Sequence, residues 1–356
     1  MNRAGGDAGG TGPPGGGKVG EMNRAGGDAG GTGPLWGRYR IAVRGRGRVP
    51  ELPDLEIYCR NLHARLAGRE VGDVRVGRTR RRNFTNAQIE QALDGDTLEA
   101  VHRSGKQSHF LFRSGHCLAV HLMLTGRFDL TDNPSAIRFL RLGLGFADGE
   151  RFVPEEKSKY GDKLGLKDGD RLDPGEKPKD GDRYENRDGN KSALAGGEWL
   201  VVSDPHSWAT FTLDPPADPT PDALDAACDV TYLRDRLREQ KERCLKEFLV
   251  DQRLVRGIGN AYSDEILWAC RIAPRSRCDR LPEGKVGELH AAIRSVLEDA
   301  IAQLGRLDPD AIHGERRDFL QVHRPDRTHS PTGFAIRCER IGTRKTYSTD
   351  EQVEYR

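Results

Sequence analysis

The chain has 356 residues, 31% of them charged, yet 57 Lys and Arg against 55 Asp and Glu leave a net charge of only +2, so composition alone does not announce a polyanion partner. Seven cysteines, at 59, 117, 228, 244, 270, 278 and 338, are odd in number and never spaced as CxxC, which argues against a disulfide framework or a four-cysteine zinc site and for a reducing cytoplasm. No apolar run approaches the ~20 residues that span a bilayer, and the glycine-rich start lacks the apolar stretch of a signal peptide, so a soluble cytoplasmic protein without membrane contact is expected.

In chain order, MNRAGGDAGGTGP occurs twice, at 1–13 and 22–34, and precedes Arg38, Arg40, Arg44, Arg46 and Arg48; residues 1–49 are expected to be disordered or foreign to the natural protein. In PELPDLEIYCRNLHARLAG, Leu55, Tyr58, Leu62 and Leu66 recur at helical spacing, with Asp54 at the N-cap position and Gly68 at the stop, which predicts an amphipathic helix just after Pro50. From Val71 to about Leu130 the pattern changes to period two, in VGDVRV, HFLF and CLAVHLML, with a turn at Ser114-Gly115, and predicts sheet. RLGLGFA and WLVVSD are further strands, and the Asp, Gly, Lys and Pro of 154–197 between them predict a flexible insertion.

LDPPADPTPDAL (213–224) reads as a linker between a first domain, 50–212, and a second, helical one, 225–310. There the period is helical along TYLRDRLREQKERCLKEFLV, then AYSDEILWACRI, then KVGELHAAIRSVLEDAIAQLG. Residues 311–356 lose that period and finish in short polar strands around RKTYST.

Five segments could carry chemistry, and each has an ordinary reading beside the functional one. GIGNAYSDEIL (257–267) is either a glycine turn between helices or a helix start at which Gly257 and Gly259 let the backbone turn, free N–H groups attract phosphate, and the Asn260 amide adds a donor. Pro50 inside the chain is simply a residue favoured at helix starts; as a chain terminus its nitrogen is a secondary amine able to attack an aldehyde-like sugar carbon, with Glu51 beside it for proton transfer. Lys106 in RSGKQSHF is a solvated lysine or a phosphate contact, and Leu124 in HLMLTGRF is a core residue or a wedge into a base stack. Arg344 and Lys345 in IGTRKTYST are an exposed basic edge or phosphate contacts.

In order and spacing, PELPDLE, SGK, HLMLTGRF, LKEFLVDQ with GIGNAYSDEIL, and the terminal basic hairpin resemble the formamidopyrimidine-DNA glycosylase and endonuclease VIII family from Pro50 to about Gln352. The resemblance implies an α+β multidomain fold: an N-terminal β-sandwich with flanking helices, a helix–two-turns–helix domain, and a C-terminal β-hairpin finger. It implies Pro50 as Schiff-base nucleophile, Glu51 as proton donor in opening the deoxyribose ring, and Lys106 and Arg344 as phosphate ligands assisting β- and δ-elimination. Asn260 would hold a backbone phosphate, with Gly257 and Gly259 shaping its turn, Lys246 would lie near the lesion strand, Lys345 would touch DNA, and Leu124, where many members have methionine, would fill the space of a flipped-out base. The implied partner is double-stranded DNA with damaged bases or abasic sites, bound by a monomer without cofactor.

Two departures stand out. With only Cys338 near its end, the chain is similar to members whose finger lacks zinc, so no metal is expected. The family's second intercalating loop, with its Arg-Phe pair, has no visible counterpart, since that region carries the insertion and then SDPHSWATFTL. These leave three expectations open: removal of oxidised purines such as 8-oxoguanine and formamidopyrimidines, the same chemistry on oxidised pyrimidines or abasic sites, and nucleic-acid binding without catalysis. While Val49 precedes it, the Pro50 nitrogen is an amide and cannot form an iminium. Initiation at a GUG codon for Val49, with the methionine trimmed before proline, is expected to supply the free terminus.

Overall fold

The structure, a computed structural model, describes residues 49–147 and 197–356. Most of the segments expected to be unstructured, 1–49 and 154–197, lie outside the described residues. Helix α1 (Leu52–Leu66) opens the described chain and presents Leu55, Tyr58, Cys59, Leu62 and Leu66 to one hydrophobic core, while Leu52 at its first turn enters a different one. Its N-cap is Glu51 rather than Asp54: Asp54 lies one turn in, and its carboxylate accepts the Glu51 N–H at 2.9 Å.

Strands β1 (Val71–Val76), β2 (Leu98–Ser104), β3 (Gln107–Phe112), β4 (Cys117–His121), β5 (Arg127–Thr131), β6 (Leu140–Phe146), β7 (Trp199–Ser203) and β8 (Thr210–Leu213) form two antiparallel sheets, ordered β1-β6-β7-β5 and β2-β3-β4-β8. The alternation in QSHFLF turns Phe110 and Phe112 inward, where Phe110 meets Phe128 of the other sheet edge-on at 5.9 Å between ring centres. This is the expected sandwich. The period-two reading of 71–130 missed helix α2 (Asn86–Leu93), which starts where Thr85 Oγ1 accepts the Gln88 N–H and the Gln88 side chain accepts the Thr85 N–H.

The second core is helical, from α3 (Val230–Glu239), α4 (Leu245–Val250), α5 (Asn260–Ala269) and the long α6 (Glu283–Leu307). The continuous period through TYLRDRLREQKERCLKEFLV is broken at 240–244, where Glu242 takes a positive φ of 64°. The break redirects α4 so that its first N–H groups are met by the 274–276 turn, Leu245 N by Ser276 O at 2.9 Å and Lys246 N by Pro274 O at 3.1 Å. Strands β9 (Arg337–Ile341) and β10 (Arg344–Ser348) pair as the terminal hairpin. No described helix is long and apolar enough to cross a membrane.

Candidate active site at the junction of the two cores

Because α1 belongs to one core and its first turn to the other, the Pro50-Glu51 pair is fixed where the sandwich meets the helical domain. Leu52 N donates to Gly257 O at 3.1 Å, and Gly257, at φ +98°, passes so close that a Cβ there would stand 2.6 Å from Leu52 Cδ1. Gly259 admits Glu51 in the same way. The Glu51 carboxylate, 5% exposed, then accepts N–H groups from Ala261 at 2.9 Å and Tyr262 at 3.3 Å.

The expectation for GIGN changes accordingly. The N-terminus of α5 does bind an anion, but the anion is the protein's own carboxylate, so these N–H groups are not available to DNA phosphate. Gly257 and Gly259 serve close packing rather than direct contact. Burial alone would raise the Glu51 pKa, but Lys106, Arg317 and the two N–H groups outweigh it and hold the carboxyl below its usual 4.5. A depressed acid contributes stability that is complete above the unfolded value, about 4.5, and is lost as pH falls below it. The gap in unfolding midpoint between the parent and Glu51→Gln should therefore narrow as pH drops through that range; a constant gap would refute the ionised state.

Glu51, Lys106, Leu124, Asn260 and Arg344 line one cleft of about 500 Å³, together with Val49, His121, Met123, Arg317 and His323. Lys106 occupies the two-residue turn between β2 and β3, after Gly105 at φ +59°. That turn is tied down by Asp222, which accepts Gly105 N at 3.0 Å and Arg103 Nη2 at 3.0 Å, so the proline-rich 213–224 segment also braces the cleft. Burial, with Arg344, Lys246 and Arg317 adding to it, lowers the Lys106 pKa despite the attraction of Glu51.

Asn260 reaches across to the finger, its Nδ2 donating to Lys345 O at 2.9 Å, while the Lys345 side chain is exposed. Lys246 is the clear correction. It is 1% exposed and does not line the cleft; its ammonium is spent on Asn260 O (2.8 Å), Ser263 Oγ (2.7 Å) and Asp264 Oδ1 (2.6 Å).

Sequence reasoning passed over Arg317, His121 and His323. Arg317 donates to Asp54 Oδ1 at 2.6 Å across 263 positions of sequence, and no local pattern signals such a pair. His121 Nδ1 accepts the Met123 N–H at 3.0 Å, and burial and then Lys106 hold its pKa down to about 4, leaving a neutral ring with its proton on Nε2 at neutral pH. His323 Nδ1 meets Asp264 Oδ2 at 2.7 Å. The SDPHSWA segment, read as lacking a counterpart to the second loop, folds into a tight loop in which Asp204 caps His206 N (3.0 Å) and Ala209 N (2.7 Å) and also bonds Thr125 beside Leu124. The rings of His206 and Trp208 stack there at 4.8 Å. Among the described residues no group of three or more His, Cys, Asp or Glu could hold a metal ion.

A sandwich joined to a helix–two-turns–helix unit, with an acid, a lysine and an arginine converging on one cleft beside a proline, defines the class of repair glycosylases with this architecture. The profile of the formamidopyrimidine-DNA glycosylase N-terminal domain matches residues 49–162, and that of the formamidopyrimidine-DNA glycosylase H2TH domain matches 220–307. The chain belongs to the formamidopyrimidine-DNA glycosylase family. It is 28% identical over 266 residues to the formamidopyrimidine-DNA glycosylase of Corynebacterium urealyticum, covering 72% of this chain and 80% of that one. To the Methylococcus capsulatus enzyme of that name it is 28% identical over 313 residues, 84% of this chain and 97% of that one. Among solved structures, it resembles Lactococcus lactis formamidopyrimidine-DNA glycosylase bound to abasic-site DNA (TM-score 0.62, 22% identity, 85% of this chain and 99% of that one). It also resembles MutM in complex with carbocyclic 8-oxo-G DNA (TM-score 0.63, 22% identity, 86% and 100%).

Proposed function

We propose that this chain, when Pro50 is its N-terminus, removes oxidised purines from double-stranded DNA and cleaves the strand at the resulting abasic site. The observation that carries the reading is the placement of Glu51, directly after Pro50, between the start of α5 and Lys106 in a cleft that Arg344 also lines. The complexes of its structural relatives with damaged DNA support the choice of partner.

In this reading the Pro50 lone pair adds to C1′ of the lesion nucleotide, the glycosidic bond breaks, and the base leaves with its electron pair and takes up a proton. The nitrogen then expels O4′ to form the iminium. Glu51, being ionised, first accepts the proton that the nitrogen gives up and then delivers it to O4′, so it acts as an acid only after acting as a base. Water takes the C2′ proton as the C3′–O bond breaks, and the cations Lys106 and Arg344 hold the phosphate that leaves with the bonding pair.

Borohydride trapping on an abasic duplex tests this. A polypeptide starting at Pro50 should give a covalent adduct, and the same chain carrying residues 1–49 should give none. An adduct with the longer form would remove Pro50 as nucleophile; no adduct with either would favour nucleic-acid binding without catalysis. A panel of lesion duplexes then ranks oxidised purines against oxidised pyrimidines.

A further inference from the structure

The two imidazoles that line the cleft are held as opposite tautomers. His121 Nδ1 accepts the Met123 N–H, so its ring proton sits on Nε2 and the neutral ring can only donate toward the cleft. His323 Nδ1 instead meets Asp264 Oδ2 at 2.7 Å, on a carboxylate that also accepts from Lys246 Nζ and the Tyr347 N–H. Nδ1 is therefore the donor, and the neutral His323 ring keeps its lone pair on Nε2. That nitrogen takes no bond from any described residue, and the ring lines the cleft with 19% of the side chain exposed.

His323 is also fixed in place. Glu265, 4% exposed, accepts the N–H groups of Gln321 (2.8 Å), Val322 (2.9 Å) and His323 (2.7 Å), and the Tyr347 ring meets the imidazole edge-on at 4.8 Å between centres. Asp264 and Glu265 are neighbours on α5, the helix whose first N–H groups hold Glu51. One helix thus sets both Glu51 and His323 relative to the cleft. The other groups there are committed: Glu51 serves the Pro50 nitrogen and O4′ in the proposed reaction, Gln252 Oε1 accepts Gly257 N, and Lys106 and Arg344 act as cations.

We infer that His323 is the general base of strand cleavage, receiving the C2′ proton of the iminium through the water that takes it. The inference rests on the proposed lyase function. The water oxygen takes the proton from C2′ while one of its own protons passes to Nε2. The C–H electron pair moves toward the iminium carbon, C3′–O breaks, and its pair leaves on the phosphate oxygen. The imidazolium keeps its Nδ1–H on Asp264, whose buried carboxylate stabilises the new charge, and it later returns the added proton to solvent. Asp264 is accordingly a positioning residue, and base excision, complete before this step, does not draw on His323.

Both hydrophobic cores are built from residues after Pro50, so the Pro50-initiated form holds the fold and serves for the test. His323→Asn keeps an amide N–H where Nδ1 stands but has no basic nitrogen. It should cleave a preformed abasic duplex about a hundredfold more slowly, while excision from the lesion duplex that ranks first stays within threefold. Borohydride should trap at least as much adduct as with the parent, because the iminium forms and waits. Added imidazole should speed cleavage by His323→Ala tenfold or more and leave the parent unchanged, a response that lost packing does not give. Cleavage by His323→Asn within threefold of the parent would overturn the inference. So would a joint fall of excision, adduct and cleavage without response to imidazole, the outcome for a phosphate ligand or a packing residue. If the parent itself gives no adduct, the repair reading fails instead.

Discussion

Replacing Gly259 with alanine is expected to lower base excision and strand cleavage by about a hundredfold or more, the range lost with a positioned acid–base group, while duplex binding stays within a few fold. Gly259 has φ −123°, a conformation open to any residue, so backbone strain is not the reason glycine stands there. The reason is Glu51. A Cβ at 259 would stand 2.3 Å from Glu51 Cδ and 2.6 Å from its Oε1, and the backbone behind it begins α5 and cannot retreat without carrying Ala261 and Tyr262, the two donors to that carboxylate, away with it. The carboxylate must move, and it would leave the positions from which, in the proposed mechanism, it would exchange a proton with the Pro50 nitrogen and O4′. Single-turnover excision and lyase rates of the Pro50-initiated form, with its melting temperature as control, check this. Rates within threefold of the parent in a folded Gly259→Ala protein would mean that Glu51 does not act from the observed position.

The same contact shows why the site was only partly legible in the sequence. Each segment of the resemblance was readable because its signal is local: the helix after Pro50, the turn before Lys106, the glycines before Asn260. The partnership between Glu51 and the start of α5 spans 210 positions, and nothing in PELPDLE or GIGNAYSDEIL indicates that one fills the other. From sequence, the glycine-flanked helix start and the acidic residue were two features, an anion site and a proton donor; in the fold they are one.

Lys246 illustrates the opposite error. A lysine at the head of LKEFLVDQ, where the family resemblance places a lysine near DNA, is expected at a surface, and only the break at 240–244 turns it inward. Helix α2 was missed because eight residues embedded among strands disturb the alternation too briefly to register, although Thr85 and Gln88 carry a capping signature. The loop packed beside the Leu124 turn was illegible for a different reason: its ring pair, His206 and Trp208, follows no local pattern, and its link to that turn is a single carboxylate 79 positions from Thr125.

Lys246→Ala should then behave as a core lesion and not as a lost DNA contact. Asp264 of α5, 0% exposed, distributes its two oxygens among three partners: Oδ1 takes Lys246 Nζ of α4, and Oδ2 takes His323 Nδ1 at 2.7 Å and the Tyr347 N–H of β10 at 3.0 Å. Removing the ammonium strands that carboxylate with weaker partners and takes one of their hydrogen bonds from Ser263 Oγ and Asn260 O inside the protein. Breaking a buried pair from one side costs about 3–5 kcal/mol, because the surviving charge stays desolvated. For a domain of this size that is a fall in Tm on the order of 10 °C. The hairpin hangs from Tyr347 N on the same carboxylate, so Arg344 should loosen along with it, and strand cleavage should fall further than base excision. The slope of binding affinity against salt reports the number of phosphates contacted, and it should be unchanged in the folded fraction, whereas a lysine on DNA would reduce it by about one. In a double-mutant cycle with Asp264→Asn, the two losses should be strongly less than additive, since the second substitution removes the charge that the first left unpaired. Additive losses together with a reduced salt slope would return Lys246 to the DNA interface.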